Sequence, residues 1–370
     1  MKNKSIRLVA VGDIFLGEHP VTLGHGVTSI SRQYGCDFLF EKIKSYLEGD
    51  IVCGNLEGII SPKNPEEKGI LKEIFWGDPT CAGAMREAGI NCLFLANNHT
   101  AQHGRDALQR TCDLLDENDL KWTGFNPANP IRPIPAIFKV NGFTTSLLAY
   151  CDTQQYKLDT PLLPLIDFDN IKQDIDKAKT EADIIIISLH WGDEFINYPS
   201  PYQVELAHKI IDAGAHLILG HHPHIMQTVE QYKHGLIAYS LGSFIKDLWP
   251  RKLRESTILR CEINASGITK FDLVPILIHK KFHRPELYEG KAGKEYLAGV
   301  YSLSGQLEAR NTQDILTQEI QYSKDVKQVL FHDRVATILH YFLNIHRYDK
   351  QLLFENVQLM VQRRLAGKNF

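Results

Sequence analysis

Three imidazoles fall within four positions at Gly220-His221-His222-Pro223-His224, directly after the apolar run His216–Leu219. Imidazole carries protons near neutral pH and binds divalent metals, so such a cluster points to a site. Pro223 fixes one backbone angle and pre-orients the rings on either side. Four more polar groups close strand-like runs in the same way. Asp13 follows Ser5–Val11, and Asn55 and Glu57 follow Asp50–Cys53. Asn97-Asn98-His99 follow Cys92–Leu95, and His190-Trp191-Gly192 follow Ile184–Leu189. Carboxylate, amide and imidazole together are the mixture that hard and borderline divalent ions accept. Singly, each group has a bland explanation: a Gly-Asp turn, a solvated loop, a capped core histidine. Jointly they reinforce one another, because parallel strands of an open α/β sheet end on one edge, where ligands bind.

The elements that must position these groups are legible as an alternation of strand and helix signals from Ser5 to about Phe244. Ile184–Leu189 is a β-branched run suited to a buried parallel strand. Phe38–Leu47, Pro79–Ala88, Gly104–Asn118, Phe168–Lys179 and Pro201–Ala213 read as helices, with Gly89 and Gly214 placed as C-caps. Ile131–Val140 and Thr144–Tyr150 form a hairpin across Asn141-Gly142, a pair that tolerates positive φ. Ser256–Asn264 and Ile268–Ile278 form another across Ala265-Ser266-Gly267. The pattern changes after His279. Residues 1–279 are expected to form one domain, and 280–370 a connecting segment and a helical extension. Apolar stripes in Asp325–His346 and Gln351–Leu365 would pack on that domain or join two copies as a homodimer.

Bulk composition narrows the function. Lys+Arg 41 against Asp+Glu 44 leaves a net charge of -3, which offers no general attraction for nucleic acid or an anionic membrane. No apolar run approaches ~18 residues, so no membrane span is expected. The basic start Met1-Lys2-Asn3-Lys4 passes directly into a strand, without the apolar region of a signal peptide. Seven scattered cysteines with no C-x-x-C pair read as buried, reduced thiols. A cytoplasmic protein acting on a small-molecule or peptide substrate is expected.

The chain resembles the CapA family of capsule and poly-γ-glutamate biosynthesis, related in fold to the calcineurin-like metallophosphoesterases. The likeness is carried by Gly12-Asp13, Asn55-Leu56-Glu57, Asn97-Asn98-His99, His190 to Phe195, Gly220 to His224 and Tyr239-Ser240-Leu241-Gly242-Ser243-Phe244, in order over about residues 6–245. It implies a four-layer αββα sandwich with its site on the loops that top two packed sheets. Carried over, Asp13, Glu57 (or Asn55), Asn98, His190, His222 and His224 would ligate metal, Mn²⁺ or Zn²⁺. Asp13, His99 and His222 would be catalytic. Asn55, Asn97, Trp191, Glu194 and His221 would bind substrate. The chain departs from the phosphoesterase pattern in two ligands: D-x-H is Asp13-Ile14-Phe15, and the bridging aspartate gives way to Asn55-Leu56-Glu57.

Three readings follow. The first is metal-assisted hydrolysis or group transfer on a phosphoryl or amide substrate. The second is metal-free acid/base chemistry, with Asp13 facing His222 or His224 across a peptide. The third is a non-catalytic binding subunit of a surface-polymer assembly.

Overall fold

Alternation of side chains along the central strands decides the layering. In Ile184–His190, Ile184 and Ile186 pack into one core with the first sheet, while Ile185, Ile187 and Leu189 pack into another with two helices. A strand buried on both faces needs a covering layer on each side. The computed structural model supplies four layers and describes residues 4–62, 74–152, 161–311 and 314–348, with 354, 355 and 358.

The first third of the chain runs β1 (Ile6–Ile14), α1 (Val27–Tyr34), β2 (Ile51–Leu56), β3 (Ile59–Ile60), β4 (Trp76–Gly77), α2 (Cys81–Glu87), β5 (Cys92–Phe94), α3 (Gly104–Glu117) and β6 (Lys121–Thr123). The second sheet is built from β7 (Ala136–Val140), β8 (Phe143–Cys151), α4 (Phe168–Ala178), β9 (Ile184–His190), α5 (Pro201–Ala213), β10 (Leu217–His221), β11 (Val229–Tyr232) and β12 (Gly235–Ala238). The chain then returns to the first sheet through β13 (Ser243–Ile245), α6 (Arg251–Arg254), β14 (Glu255–Asn264), β15 (Gly267–Ile278) and β16 (Pro285–Leu287). Two long helices follow, α7 (Gly290–Asn311) and α8 (Ile315–Asn344).

The larger sheet has the order β16-β15-β14-β1-β2-β5-β6, with β13 also paired to β1. The smaller has the order β11-β12-β10-β9-β8-β7. Inner faces of both share the main core, and α4 and α5 cover the outer face of the second sheet. This is the four-layer αββα sandwich that the family resemblance implies. Parallel pairing levels the functional strand ends: Asp13 stands opposite Asn55 and Ser243, and His190 opposite His221.

Local chemistry explains most elements. Ser200 and Gln203 close a capping box on α5, Pro201 opens the helix, and Gly214 ends it in the left-handed region. Asn141 and Gly142, both at positive φ, make the turn between β7 and β8. Two expectations fail. Phe38–Leu47 forms only two short 3₁₀ turns, and α1 arises where no helix was expected, its first turn held by Glu18, which accepts from the backbone N–H groups of Gly24, Gly26 and Ser29.

The cysteine reading also needs correction. Cys36 and Cys81 are joined in a disulfide that ties the turn after α1 to the start of α2. A separation of 45 residues with no local motif left this pair invisible in the sequence. Cys53, Cys92, Cys112, Cys151 and Cys261 are buried free thiols, as expected.

Among the described residues no helix is long and apolar enough to cross a membrane. In α8, Val326, Val329 and Leu330 are half-buried, but Ile338, Leu339 and Phe342 point to solvent rather than onto the domain. Most of the stripe in Gln351–Leu365 lies outside the described residues.

Candidate active site

The site is assembled where β1, β2, β5, β9 and β10 end. Two glycines allow the backbones to meet there. A Cβ on Gly12 would lie 2.0 Å from the carbonyl oxygen of Gly242, and one on Gly220 would lie 1.9 Å from that of Tyr239. Only glycine fits at either position. Asp13 N–H therefore donates to Gly242 O at 3.0 Å and the carboxylate projects into the interior. The backbone of His222 and His224 is left-handed (φ 97° and 55°), a conformation that costs non-glycine residues about 1–3 kcal/mol.

Asp13 is the hub. Its Oδ1 accepts from the Asn55 amide at 2.8 Å, and its Oδ2 lies 2.9 Å from Nδ1 of His224. Asn55 Nδ2 also stands 3.3 Å from Nδ1 of His190, so Asn55 occupies the space between Asp13 and that imidazole. His190 Nε2 is 2.9 Å from Asn98 Oδ1, and the rings of His190 and His222 are 4.7 Å apart. Glu57 lies on the other flank, with Oε1 3.6 Å from His99 and 3.4 Å from His224. His99 stacks on Phe75 at 4.0 Å and holds Gln102 with Nδ1.

One member of the site was not foreseen. Lys246, 5% exposed, donates from Nζ to Glu57 Oε2 at 2.8 Å and reaches His224 Nε2 at 2.8 Å. Its ammonium also lies 5.2 Å from the Phe15 ring centroid. The signal was present: Lys246-Asp247 is a charged pair between Phe244-Ile245 and Leu248-Trp249. Asp247 is buried as well and accepts from the His19 N–H and the Thr22 hydroxyl.

Of the residues expected to bind substrate, Glu194 stands at the rim, its side chain 36% exposed and 3.8 Å from His224. The other four face inward. Trp191 is fully buried in the outer core, where its indole donates to Tyr239 O and stacks on the Tyr239 ring. Asn97 is consumed in shaping its own turn: its amide donates to Asn55 and Leu56, and its oxygen accepts from His99 and Thr100. His221 packs near Phe94 behind Asp13, and Asn55 is buried between Asp13 and His190. None of these four offers surface to a substrate. A polar side chain at a strand end can turn into the protein as readily as out of it.

Burial sets the electrostatics. It pushes the imidazoles of His222 and His224 down to about 3, with His224 and Glu57 respectively the next influences. His221 is lowered to about 4 and His190 and His99 are lowered as well, again by burial first. These rings are therefore neutral at physiological pH, each with one N–H and one lone pair. Burial raises Asp13 against the pull of His221 and Lys246. Glu194 is pushed up to about 7, chiefly by burial, with Lys246 pulling it down and Glu57 pushing it up.

Two groups of described residues are spaced to hold an ion: Glu194 with His222 and His224, and Asp13 with Glu57 and His224. Both require His224. A neutral imidazole has one N–H and one lone pair. Nδ1 faces the Asp13 carboxylate and Nε2 faces the Lys246 ammonium, so the N–H points to Asp13 and the lone pair accepts from Lys246. No lone pair remains for a metal. A divalent ion roughly 4 Å from the ammonium would meet a repulsion of about 8 kcal/mol at an effective dielectric near 20. A resident divalent ion does not fit either group while Lys246 stands there.

Comparison with known proteins places the chain. The family described as "Bacterial capsule synthesis protein PGA_cap" matches residues 7–248. The chain belongs to this family. It is similar to the capsule biosynthesis protein CapA of Bacillus anthracis, 30% identical over 77% of this chain and 70% of that protein. It is also similar to the PGA biosynthesis protein CapA of Bacillus subtilis (strain 168), 28% identical over 74% of this chain and 72% of that protein. Among solved structures, a hypothetical protein from Thermus thermophilus aligns with TM-score 0.46 and 13% identity, over 73% of this chain and 98% of its own. A putative 5'-nucleotidase from Staphylococcus aureus, in complex with alpha-ketoglutarate, aligns with TM-score 0.44 and 12% identity over 80% and 58%.

Proposed function

We propose that this chain is an enzyme in the biosynthesis of a glutamate-containing polymer or peptide, performing hydrolysis or group transfer at an amide or phosphoryl centre. The observation that carries this reading is the hydrogen-bonded run from Asn55 through Asp13 and His224 to Lys246 and Glu57, with the half-exposed His222 beside it. In it Asp13 orients His224 rather than facing it across a bound peptide, so Asp13 acts as a positioning residue. His222 is the most exposed imidazole of the cluster, and its buried Nδ1 has no hydrogen-bond partner among the described residues. His222 is the base that takes a proton from the attacking group. Glu194, at the rim, is the acid that returns one to the leaving group. His99, beside Glu57, lines the same cluster and is held by Gln102.

The test is turnover of γ-glutamyl peptides and amides, and of a generic phosphomonoester, by purified protein and by His222→Ala. Loss of all turnover in the variant with retained folding supports the reading. No turnover by the parent protein on any of these probes would favour the binding-subunit reading.

A second reading retains Mn²⁺ or Zn²⁺ in the site. Lone pairs without partners at Glu57 Oε1 and His222 Nδ1 favour it. It requires Lys246 to withdraw from His224. The exposed apolar residues of α8, including Ile338, Leu339 and Phe342, support a homodimer through this helix, which light scattering tests. Five buried thiols favour the cytoplasmic setting, and the Cys36–Cys81 bond is of a kind that oxidising compartments maintain. Fractionation of host cells decides between them.

A further inference from the structure

We infer that Lys246 is the built-in cation of this site, standing where the resemblance would put a metal ion, and that it holds an anionic oxygen of the substrate, on a carboxylate or a phosphoryl group. The inference deepens the enzymatic reading above and rests on it. Four observations carry it.

First, the Lys246 ammonium sits inside the one fully buried group that is spaced for an ion among the described residues, Asp13 with Glu57 and His224. It brings one positive charge on a tether and pairs it with the Glu57 carboxylate. Second, its three N–H groups meet two close acceptors among the described residues, Glu57 Oε2 and His224 Nε2. A substrate oxygen is the natural acceptor for the third. Third, Phe15 stands where the phosphoesterase pattern has an imidazole ligand. A phenyl ring gives a metal no lone pair, but its face attracts an ammonium, and Lys246 Nζ lies 5.2 Å from its centroid. Loss of the ligand and gain of the cation therefore suit each other. Fourth, Asp13 and Lys246 engage both nitrogens of His224, which fixes the imidazole and withdraws its lone pair from any ion.

The ligand class follows from the chemistry. A buried ammonium flanked by one carboxylate and a neutral imidazole selects a compact anionic oxygen. Free carboxylates and phosphates share that chemistry, and separate probes distinguish them.

The test uses the full chain, stripped with chelator, and two readouts apart from turnover. Calorimetric titration with MnCl₂ and ZnCl₂ should show no ion bound to the parent protein below millimolar concentration, and about one ion bound at least 10-fold more tightly by Lys246→Ala. Titration with L-glutamate and with inorganic phosphate should show the preferred anion bound at least 10-fold more weakly by Lys246→Ala, with partial retention by Lys246→Arg. Uptake of one ion per chain by the parent protein, or anion affinity unchanged in Lys246→Ala, overturns the inference. Should Lys246→Ala fail to fold, Lys246→Met takes its place, and stoichiometric ion uptake by the parent protein still suffices to overturn it. Failure of the two readings is distinguishable: Lys246-dependent anion binding without turnover removes the enzyme and keeps the cation, whereas turnover with a stoichiometric ion does the reverse.

Discussion

The side-chain amide of Asn55 donates to Asp13 Oδ1 at 2.8 Å, so a neutral group faces this buried carboxylate. Asn55→Asp tests how far this neutrality matters. The variant sets two buried carboxylates against each other, with no new cation between them. A loss of about 3–5 kcal/mol is expected from an uncompensated buried charge. Denaturant unfolding of the parent protein and of the variant measures it, and an unchanged midpoint would show that the amide is dispensable.

His224 and His222 should separate on mutation although they are neighbours in the loop. His224→Ala leaves Asp13 buried without its imidazole, so both stability and activity should fall, activity by about 10²–10⁴-fold. His222 is more exposed and holds a left-handed backbone conformation that glycine adopts freely. His222→Gly should therefore lose activity to a similar degree while its melting temperature rises or holds. A large drop in melting temperature for this variant would make His222 a structural residue.

Acid should weaken the fold early. His222 and His224 are held at about 3 and His221 at about 4, against an unfolded value near 6.5. The unfolded chain binds these protons first. Stability is fully present above about pH 6.5 and falls as pH drops toward the folded values, by about 1.4 kcal/mol per pH unit for each imidazole. Asp13 is raised and acts in the opposite sense. Urea unfolding at pH 7.5 and at pH 5 checks this, and equal midpoints would refute it.

Activity should carry a separate upper limit on pH. If Glu194 donates a proton, it does so while protonated, and its carboxyl titrates at about 7. Turnover should decline above that value in the parent protein. Glu194→Gln should remove the dependence together with most of the rate.

The placement of Asp13, Asn98, His190, His222 and His224 was legible because each ends an apolar run, and parallel strands end on one edge. Which way a side chain turns at that edge was not legible. Trp191 and Asn97 look like site residues in sequence, yet the first fills the outer core and the second ties its own turn. Lys246 was missed for the opposite reason. Its charge is visible, but it follows a three-residue strand, β13, that enters the sheet beside β1 by an irregular pairing. Only the register beside Asp13 brings it into the site. Phe38–Leu47 misled because an apolar stripe rewards burial, and two 3₁₀ turns bury Leu39, Phe40 and Ile43 as well as a helix would.

The Cys36–Cys81 bond turns the stretch between them into a covalent ring that carries Asn55 and Glu57, while Asp13, His190, His224 and Lys246 all lie outside it. A protease that cuts once inside that ring produces no separable fragment. Asn55 and Glu57 stay tethered from both directions. The nicked protein should migrate as one band without reductant and as two with it.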